Sequence, residues 1–357
     1  MRDIIENKIL GRERLNHDES LWCMTEGKID DLKNWAHSVR CTEHPCERVT
    51  YQVDGNINYT NVCVSGCRFC AFFRPPGHPD SRTLTINEIL EQVDKIRESG
   101  GTGILMQGGH NPEIPFEYFT DLLKAIRARF PLIHIHAFSP PEISAFAGFY
   151  NKMTVEKILD KLIESGLDSL PGGGAEILSE PFRKSISPAK CSSREWLKIM
   201  RICHRMGLKS TATMVIGLGE TVDDRMNHLI SLRELQDETS GFTAFIPWTF
   251  QPLNTELEKE VTSLDSDDYL RLQACARLIL DNIPHHQVSR LTQGMEIARK
   301  ALHFGADDFS GVMMYEQVVK SAGAGFHADE TEIRNAIESE GFTPVRRLTL
   351  YQNILHG

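Results

Sequence analysis

The sequence has no long apolar run and no excess of basic residues. No stretch approaches the ~20 apolar residues that a helix needs to cross a bilayer, so we expect no membrane partner. Lys and Arg number 39 against 49 Asp and Glu, a formal net charge of −10. Since no Lys/Arg-rich stripe is present to neutralise a phosphate backbone, we expect no nucleic-acid partner. The first twenty residues are charged throughout and lack the apolar core of a secretory signal, which predicts a cytoplasmic protein.

Internal repeats and low-complexity segments are also lacking. The glycines at 217 and 219 have no third glycine at the spacing of a dinucleotide-binding fingerprint, which argues against a Rossmann site. Hydrophobic residues make up 41% of the chain and charged residues 25%, which is typical of a globular protein and excludes a disordered or fibrous one. The 357 residues suffice for one large α/β barrel with extensions or for two domains.

The nine cysteines are an odd number spread over a long chain, which favours reduced thiols over a disulfide framework. Cys63, Cys67 and Cys70 are clustered. The others are scattered and are expected to be free structural cysteines: Cys23, Cys41, Cys46, Cys191, Cys203 and Cys275. A second cluster on Cys23, Cys41 and Cys46 is the alternative, but their spacing fits no known pattern.

Patterns typical of strands and of helices alternate along most of the chain. Thr85 and Glu88, for example, have capping-box spacing at the start of an amphipathic helix. Strands are predicted at 49–58, 103–107, 132–138, 167–170, 208–216 and 242–247. Such alternation implies a parallel sheet with helical crossovers. We therefore predict an α/β fold, a TIM-like (β/α) barrel that is closed or nearly closed.

The barrel is expected to carry helical N- and C-terminal extensions. We assign residues 1–48 to an N-terminal helical extension, 49–290 to the barrel, and 291–357 to a C-terminal region that completes or caps it. Three distinctive loops follow predicted strands: the cysteine segment, Gln107-Gly-Gly-His, and the GGGAE segment at 172–176. Loops at the carboxyl ends of barrel strands open on one mouth, where the chemistry of such folds lies.

The cysteine segment has the spacing CxxxCxxC, formed by Cys63, Cys67 and Cys70. Three thiolates within eight residues can converge on one soft metal centre, and Gly66 lets the loop turn tightly. An iron–sulfur cluster normally takes four thiolates, so three would leave one iron open to a small-molecule ligand. The alternative is a zinc site that takes a fourth ligand, such as His78, but zinc sites usually use two CxxC pairs and no second one exists here.

This spacing, followed by the aromatic Phe72, resembles the radical S-adenosylmethionine (SAM) superfamily. The resemblance implies that Cys63, Cys67 and Cys70 ligate a [4Fe–4S] cluster and that SAM binds the fourth iron. One electron then cleaves SAM to methionine and a 5′-deoxyadenosyl radical. The superfamily's barrel fold agrees with the fold argued above from periodicity alone.

Further motifs resemble one family, the cyclic dehypoxanthinyl futalosine synthases (dehypoxanthine futalosine cyclases) of menaquinone biosynthesis. They run from about Asn56 to Tyr351: NINYTNVCVSGCRFCAF, LMQGGHNPE, HIHAFSPPEI, GLDSLPGGGAEIL, RELQDETSGFTAFIPWTFQP and the stretch from AGF to the LY near the C-terminus. Two sister families, aminofutalosine synthase and the second subunit of the deazaflavin FO synthase, share much of this pattern. Both tend to have Gly-His within 217–221, and the sister synthase tends to have His at the position of Gln251, so these departures favour the cyclase.

The resemblance implies a reaction, a substrate and an electron donor. The deoxyadenosyl radical would abstract hydrogen from C4′ of dehypoxanthine futalosine, and the carbon radical would attack the benzoate ring. Loss of an electron and a proton would then leave a cyclised product. A one-electron donor such as flavodoxin or ferredoxin is expected. The alternatives are radical addition of the deoxyadenosyl group to an enolpyruvyl benzoate, as in the sister synthase, and a non-catalytic metal- or cluster-binding protein.

The resemblance also suggests cofactor and substrate contacts in the three loops. Gly108 and Gly109 would let the backbone approach the methionine amino group of SAM, beside Phe72 of the cysteine segment. Gln107 and His110 are candidate substrate contacts, although His110 is also a candidate loop cap. Glu176 would lie near the SAM ribose or the substrate; the alternative is a glutamate at a helix N-terminus that interacts with the helix dipole.

Charged residues elsewhere supply the remaining candidates. Arg183 and Arg290 are candidate donors to an anionic substrate, which needs a charge-assisted hydrogen bond. Glu220 and Asp308 are candidate catalytic groups, with Asp308 either the proton acceptor or a turn residue. Thr221, next to Glu220, is expected to be a helix N-cap.

Overall fold

The computed structural model describes residues 1–150, 153–262 and 264–352. Its helices are α1 (Arg2–Gly11), α2 (His17–Thr25), α3 (Ile29–Glu43), α4 (Ile86–Glu98), α5 (Phe116–Arg129), α6 (Pro140–Phe149), α7 (Val155–Ser165), α8 (Glu180–Ile186), α9 (Ser193–Arg205), α10 (Val222–Thr239), α11 (Ser266–Ile279), α12 (Arg290–Ala301), α13 (Val318–Ser321) and α14 (Glu330–Ser339). Its strands are β1 (Arg48–Gln52), β2 (Asp54–Asn58), β3 (Gly103–Gln107), β4 (His134–Ala137), β5 (Ser169–Leu170), β6 (Lys209–Ile216), β7 (Phe242–Thr249), β8 (His285–His286), β9 (Asp308–Gly311) and β10 (Thr343–Arg346).

Seven parallel strands form the main sheet, in the order β2-β3-β4-β5-β6-β7-β8. Because the spatial order equals the chain order and helices connect the strands, the sheet curves as a (β/α) barrel. Sequence signals account for its helix ends. Thr85 and Glu88 exchange the two hydrogen bonds of a capping box at α4, and Gly166, with φ of 117°, ends α7. The prediction of an α/β, TIM-like barrel is confirmed.

The barrel is open, not closed. Within the described residues the edge strands β2 and β8 do not pair with each other. The chain that contains β9 crosses the gap instead, through isolated parallel bridges of Asp308 to Gln287 and of Met314 to Gly55. Of the two predicted forms, a fully closed barrel is therefore wrong, because the strand that follows β8 belongs mainly to another sheet.

That other sheet has three parallel strands in the order β10-β1-β9. The sequence predicted one strand over 49–58, but the structure divides this segment at Val53 into β1 and β2, which belong to different sheets. Arg48 in β1 pairs with Thr343 in β10, so the C-terminal region lies against the start of the barrel. The N-terminal residues form α1, α2 and α3, as predicted. The domain boundaries assigned from the sequence stay a prediction, and residues 353–357 of that assignment lie outside the described residues.

A buried ion pair links α11 to the segment that leads into β9. Arg277, 1% exposed, donates to Asp307, 3% exposed, which also bonds His285 Nδ1 at 2.6 Å and the His286 N–H at 2.7 Å. Burial alone would raise the pKa of Asp307, but the Arg277 charge and the His285 hydrogen bond outweigh it, so the pKa lies below its usual range. None of the helices in the described ranges has the length and apolar character to span a bilayer.

We expect Asp307→Asn to lower the free energy of unfolding by about 3 kcal/mol at neutral pH, because Arg277 would stay buried without its main carboxylate. The pKa of Asp307 is lowered on folding, so the loss should be full above about pH 5 and should shrink as the wild-type carboxyl protonates in acid. Urea unfolding at several pH values measures both effects.

Asp237→Asn is the matched control, because Asp237 pairs with Arg14 at the surface, where both side chains are more than 40% exposed. It should cost less than about 1 kcal/mol. Equal losses for the two variants would show that burial of the Arg277 pair does not matter for stability.

Candidate active site

The candidate site lies where several strands of the main sheet end. The cysteine loop, residues 59–84, follows β2; Gly108 follows β3; the segment 171–176 follows β5; and 217–221 follows β6. These strands are parallel, so their carboxyl ends meet at one edge of the barrel. The loops that the sequence singled out are therefore brought to one mouth, as predicted.

The cysteine loop is turned tightly at Gly66, whose φ is 52° and where an added Cβ would meet no atom within 4 Å. The Cys70 N–H donates to the Cys67 carbonyl at 3.0 Å, and backbone N–H groups of Phe72 and Phe73 lie at the Cys70 sulfur. Phe72 thus acts on Cys70 through its backbone. The three thiols are free, and burial raises the pKa of Cys67 to about 12, against the opposing charge of Lys190.

The distances among the three sulfurs distinguish a site for an iron–sulfur cluster from a site for one zinc ion. Ligands of one tetrahedral zinc ion lie about 3.8 Å apart when they are sulfurs at ~2.3 Å. Among the described residues, Cys63, Cys67 and Cys70 are not part of a group whose ligand atoms all lie within 4.8 Å, and neither is His78. A cuboidal cluster binds its thiolates on different irons and holds them farther apart. The donor set thus fits a cluster with three protein ligands.

The glycine pair after β3 packs directly under the cysteine loop. The Gly109 N–H donates to the Thr60 carbonyl at 2.9 Å, and a Cβ on Gly109 would lie 2.2 Å from the Val62 carbonyl oxygen. A Cβ on Gly108 would lie 2.5 Å from the Tyr59 ring. Both positions therefore require glycine, because a Cβ would collide with the Tyr59 ring at Gly108 and with the backbone of Val62 at Gly109.

His110 completes the contact between these loops. Its carbonyl accepts from the Val64 N–H at 3.0 Å, and its Nδ1 lies 2.7 Å from Ser65 Oγ. Burial lowers the pKa of His110 to about 4, so the ring is neutral at pH 7. Of the two predicted roles, the geometry favours the loop cap; a contact with substrate stays a prediction.

Glu142 is a residue that sequence reasoning missed. It lies in the first turn of α6 and is 2% exposed, and its carboxyl accepts from Tyr59 Oη at 2.6 Å, Ser139 Oγ at 2.6 Å and the Gly108 N–H at 3.1 Å. Burial raises its pKa to about 7, although these donors act in the opposite direction. Through its hydrogen bond with the Gly108 N–H, the Glu142 side chain fixes the position of the glycine pair. Its position after two prolines in AFSPPEI was the signal that could have pointed to it.

Glu176 lies at the mouth in a buried charge cluster. Its carboxylate binds Lys190 Nζ at 2.9 Å and Arg183 Nη1 at 3.2 Å. Burial favours the neutral acid, but the Lys190 and Arg183 charges outweigh it and lower the pKa of Glu176. Lys190, which sequence reasoning also missed, lies over the Phe69 ring at 5.2 Å and so links this cluster to the cysteine loop.

Arg183 is directed at the loop that carries Glu176. Besides Glu176 it donates to the carbonyls of Gly174, Ala175 and Cys191, all at 2.7–2.8 Å. Because its donors are used in this way, it positions the loop. A contact of Arg183 with substrate stays a prediction that this geometry does not support.

A cavity of about 330 Å³ extends from the mouth into the barrel. Of the residues predicted for the site, Cys70, Gln107 and Glu176 line it. Its upper wall is largely apolar, with Phe69, Val215, Ile246, Trp248 and Phe250. Its floor is formed by the C-terminal region, through Arg347, Thr349 and Tyr351.

Asp54 and Asn56, two residues apart on β2, line the same side of this cavity. Asp54 accepts from the Met313 N–H at 3.0 Å, and burial raises its pKa to about 6. Asn56 Oδ1 is buried and has no hydrogen-bond partner. An orphaned acceptor in a cavity wall is satisfied when a ligand brings a donor.

Other predicted residues lie outside the cavity wall. The side chain of Glu220 is fully buried, and its carboxylate accepts from the Gly217 and Leu218 N–H groups and from Arg225. Thr221, beside it, is the N-cap of α10, as predicted. Glu220 therefore does not line the cavity, and its catalytic role stays a prediction.

Asp308 and Arg290 lie deeper and near the barrel gap. Asp308 is fully buried, accepts from Thr50 Oγ1 at 2.7 Å and Gln287 Nε2 at 2.6 Å, and forms an ion pair with Arg347. Arg290 donates to the carbonyls of Phe326 and Gly311. Neither lines the cavity described above, so the predicted catalytic role of Asp308 and the predicted contact of Arg290 with substrate stay predictions.

Two scattered cysteines differ from the prediction of free thiols. Cys41 and Cys46 form a disulfide, whereas Cys23 is free and buried. The prediction was wrong for this pair because the chain turns back after α3 and brings Cys46 to the last turn of the helix. The five-residue spacing of Cys41 and Cys46 does not by itself indicate that turn.

We expect Gly109→Ala to lower the iron content of anaerobically reconstituted protein at least about tenfold, because the new Cβ would displace Val62 and with it Cys63. Iron and sulfide per chain measure this. Gly148→Ala in α6 is the control, since a Cβ there meets nothing within 4 Å and should leave the iron content unchanged. Full iron content in the Gly109 variant would show that the contact between the loops is not needed for the cluster.

Comparisons with known proteins agree with this geometry. The radical SAM superfamily matches residues 57–232, and the CofH/MqnC C-terminal region matches residues 239–355. The methylornithine synthase PylB has the same fold, with a TM-score of 0.73 at 17% identity over 96% of this chain and 97% of that one. The expected cofactors, a [4Fe–4S] cluster and SAM, are those of this superfamily.

Three curated relatives cover nearly the whole chain. The cyclic dehypoxanthine futalosine synthase of Halalkalibacterium halodurans is 41% identical over 98% of this chain and 94% of its own. The 5-amino-6-(D-ribitylamino)uracil–L-tyrosine 4-hydroxyphenyl transferase of Methanopyrus kandleri is 38% identical over 92% and 91%. The aminodeoxyfutalosine synthase of Thermus thermophilus is 36% identical over 98% and 95%. The chain thus belongs to the radical SAM enzymes and, among them, to the family with the CofH/MqnC C-terminal region that includes the cyclic dehypoxanthine futalosine synthases.

Proposed function

We propose that this enzyme cyclises dehypoxanthine futalosine to cyclic dehypoxanthine futalosine in futalosine-pathway menaquinone biosynthesis. The observation that carries the proposal is Gln251, which lines the cavity at the position where the sister synthase tends to have His. Its Nε2 lies 3.3 Å from Thr249 Oγ1, so a neutral amide occupies this part of the wall. The 41% identity to a cyclase, against 36% to the aminodeoxyfutalosine synthase, supports the same choice.

The cofactors would lie at the mouth of the cavity. Cys63, Cys67 and Cys70 would hold the cluster, and SAM would lie between the glycine pair at 108–109 and Glu176. When bound, cluster and SAM supply a 5′-deoxyadenosyl radical after transfer of one electron, which we assign to a donor of flavodoxin or ferredoxin type. Glu142 and Arg183 then act as positioning residues, because each holds the loop that would contact SAM.

The cavity wall suits a substrate with an aromatic ring and a ribose. Trp248, Phe250 and Ile246 exclude water from the part nearest the mouth, which protects a radical from solvent. Asn56 Oδ1, which has no partner, would accept a hydrogen bond from a ribose hydroxyl. This donor–acceptor match would place the sugar against β2.

Asp54 is the best-placed group to accept the ring proton that is lost after cyclisation. Asp54 and Glu316 both line the cavity, but the carboxyl oxygens of Glu316 accept from the backbone N–H groups of residues 318–320, whereas within the described residues the Asp54 carboxyl accepts only from the Met313 N–H. Burial raises the pKa of Asp54 to about 6, so at pH 7 this carboxyl is mostly ionised and yet basic enough to take a proton. Glu220 and Asp308, the candidates from the sequence, are both paired with arginines.

The function is tested by anaerobic reconstitution of the enzyme with SAM, a strong reductant and dehypoxanthine futalosine. We expect 5′-deoxyadenosine and a product two hydrogens lighter than the substrate, detected by mass spectrometry. Cys67→Ala should form neither, because it lacks a cluster ligand. An adenosine-containing adduct with an enolpyruvyl benzoate, and no product from the futalosine substrate, would assign the chain to the sister activity. Wild-type turnover by Cys67→Ala would contradict the cluster site.

We expect Asp54→Asn to keep forming 5′-deoxyadenosine but to lose cyclised product by about 100-fold or more, the usual range for a lost general base. The amide still accepts the Met313 hydrogen bond, so the local fold should persist. Wild-type product formation should fall below about pH 6, where Asp54 takes up a proton, and the variant should lack this limb of the pH profile. If Glu316→Gln rather than Asp54→Asn loses product, the assignment of the base is wrong.

A further inference from the structure

A second group of soft ligands lies outside the cavity, at the end of α3. His37 and Cys41 are four residues apart and so share one face of the helix. Cys46, in the turn before β1, returns to that face. The ligand atoms of all three lie within 4.8 Å of one another, and none of these residues lines the cavity.

The distances from the imidazole to the two sulfurs match those between ligands of one metal ion. His37 Nε2 lies 3.5 Å from Cys41 Sγ and 3.8 Å from Cys46 Sγ. Tetrahedral zinc with bonds of ~2.0–2.1 Å to nitrogen and ~2.3 Å to sulfur separates these ligand atoms by about 3.6 Å. The imidazole therefore needs no movement to share an ion with both sulfurs; only the two sulfurs, joined in the disulfide, must separate.

The surroundings favour negative sulfurs at this place. The Arg40 guanidinium is fully buried, donates to the Cys46 carbonyl at 2.7 Å, and has Nη1 4.0 Å from Cys41 Sγ. A fixed cation beside a thiol stabilises its thiolate, which is the form that binds metal. Cys46 is exposed, so water can reach the remaining coordination position.

We propose that His37, Cys41 and Cys46 form a zinc site in the reduced protein, with water as the fourth ligand. A thiol reductant of the dithiol class gives two electrons and two protons to the disulfide and is itself oxidised to a disulfide, which leaves two thiols. Zinc then displaces the two thiol protons. The bound ion joins the last turn of α3 to the turn that leads into β1, and so fixes the helical extension to the three-stranded sheet.

The test uses the anaerobic holoenzyme with its cluster intact. The protein is treated with dithiothreitol, desalted, incubated with two molar equivalents of zinc sulfate and desalted again, and zinc and iron per chain are then measured. We expect about one zinc per chain in the wild type and at least tenfold less in Cys46→Ser and His37→Gln, with unchanged iron. His303→Gln is the matched control, because His303 lies beside His37, at 6.1 Å between ring centroids, and is not a proposed ligand.

Cobalt(II) in place of zinc gives a second readout that does not depend on stoichiometry. The wild type and His303→Gln should show thiolate-to-cobalt charge-transfer bands and tetrahedral ligand-field bands, which Cys46→Ser should lack. Zinc binding below about a tenth of an equivalent in the reduced wild type would overturn the proposal. Equal zinc in the wild type and Cys46→Ser would overturn it too, because the metal would then lie elsewhere.

Discussion

The contact between the cysteine loop and the glycine pair after β3 is the constraint on which the site depends. The two backbones touch at Val62 and Gly109. The carbonyl and the ring of His110 form hydrogen bonds to the cysteine loop that hold the two segments together. Glu142 supports the same contact from behind through the Gly108 N–H. Three cysteines in a loop have no fixed arrangement of their own, so the glycine pair at the end of the neighbouring strand β3 imposes their geometry. The parallel pairing of β2 with β3 sets the distance between the cysteine loop and the glycine pair.

Charge is arranged differently at the two ends of the cavity. At the mouth, Lys190 and Arg183 surround Glu176 and leave a net positive charge beside the cysteine loop. On the floor, Arg347 is neutralised by Asp308, while Asp54 is left with a raised pKa close by. Glu176 at the mouth is therefore held in its ionised form, whereas burial raises the pKa of Asp54 in the inner wall to about 6.

Much of this could be predicted from the sequence, because the informative signals are local. Helices such as α4 and α7 follow from apolar periodicity together with the cap Thr85 and the terminating Gly166, and the spacing of Cys63, Cys67 and Cys70 singles out three thiols that are free in the structure. The division of 49–58 into β1 and β2 could not be predicted, since it depends on partners almost a chain length away. The roles of Glu142 and Lys190, and the cavity position of Asp54, depend in the same way on which distant groups burial brings together.

The pairing of β1 with β10 has a consequence for how the enzyme is made. Arg48 is synthesised early and Thr343 near the end, and the residues after β10, Arg347 to Tyr351, form the floor of the cavity. During translation the barrel strands from β2 to β7 are therefore synthesised before the residues that form the floor of the cavity. The cysteine loop, residues 59–84, is synthesised long before the residues that close the cavity. The slow, non-local step is the last one, and it converts a folded barrel with exposed inner walls into an enzyme that can contain a radical.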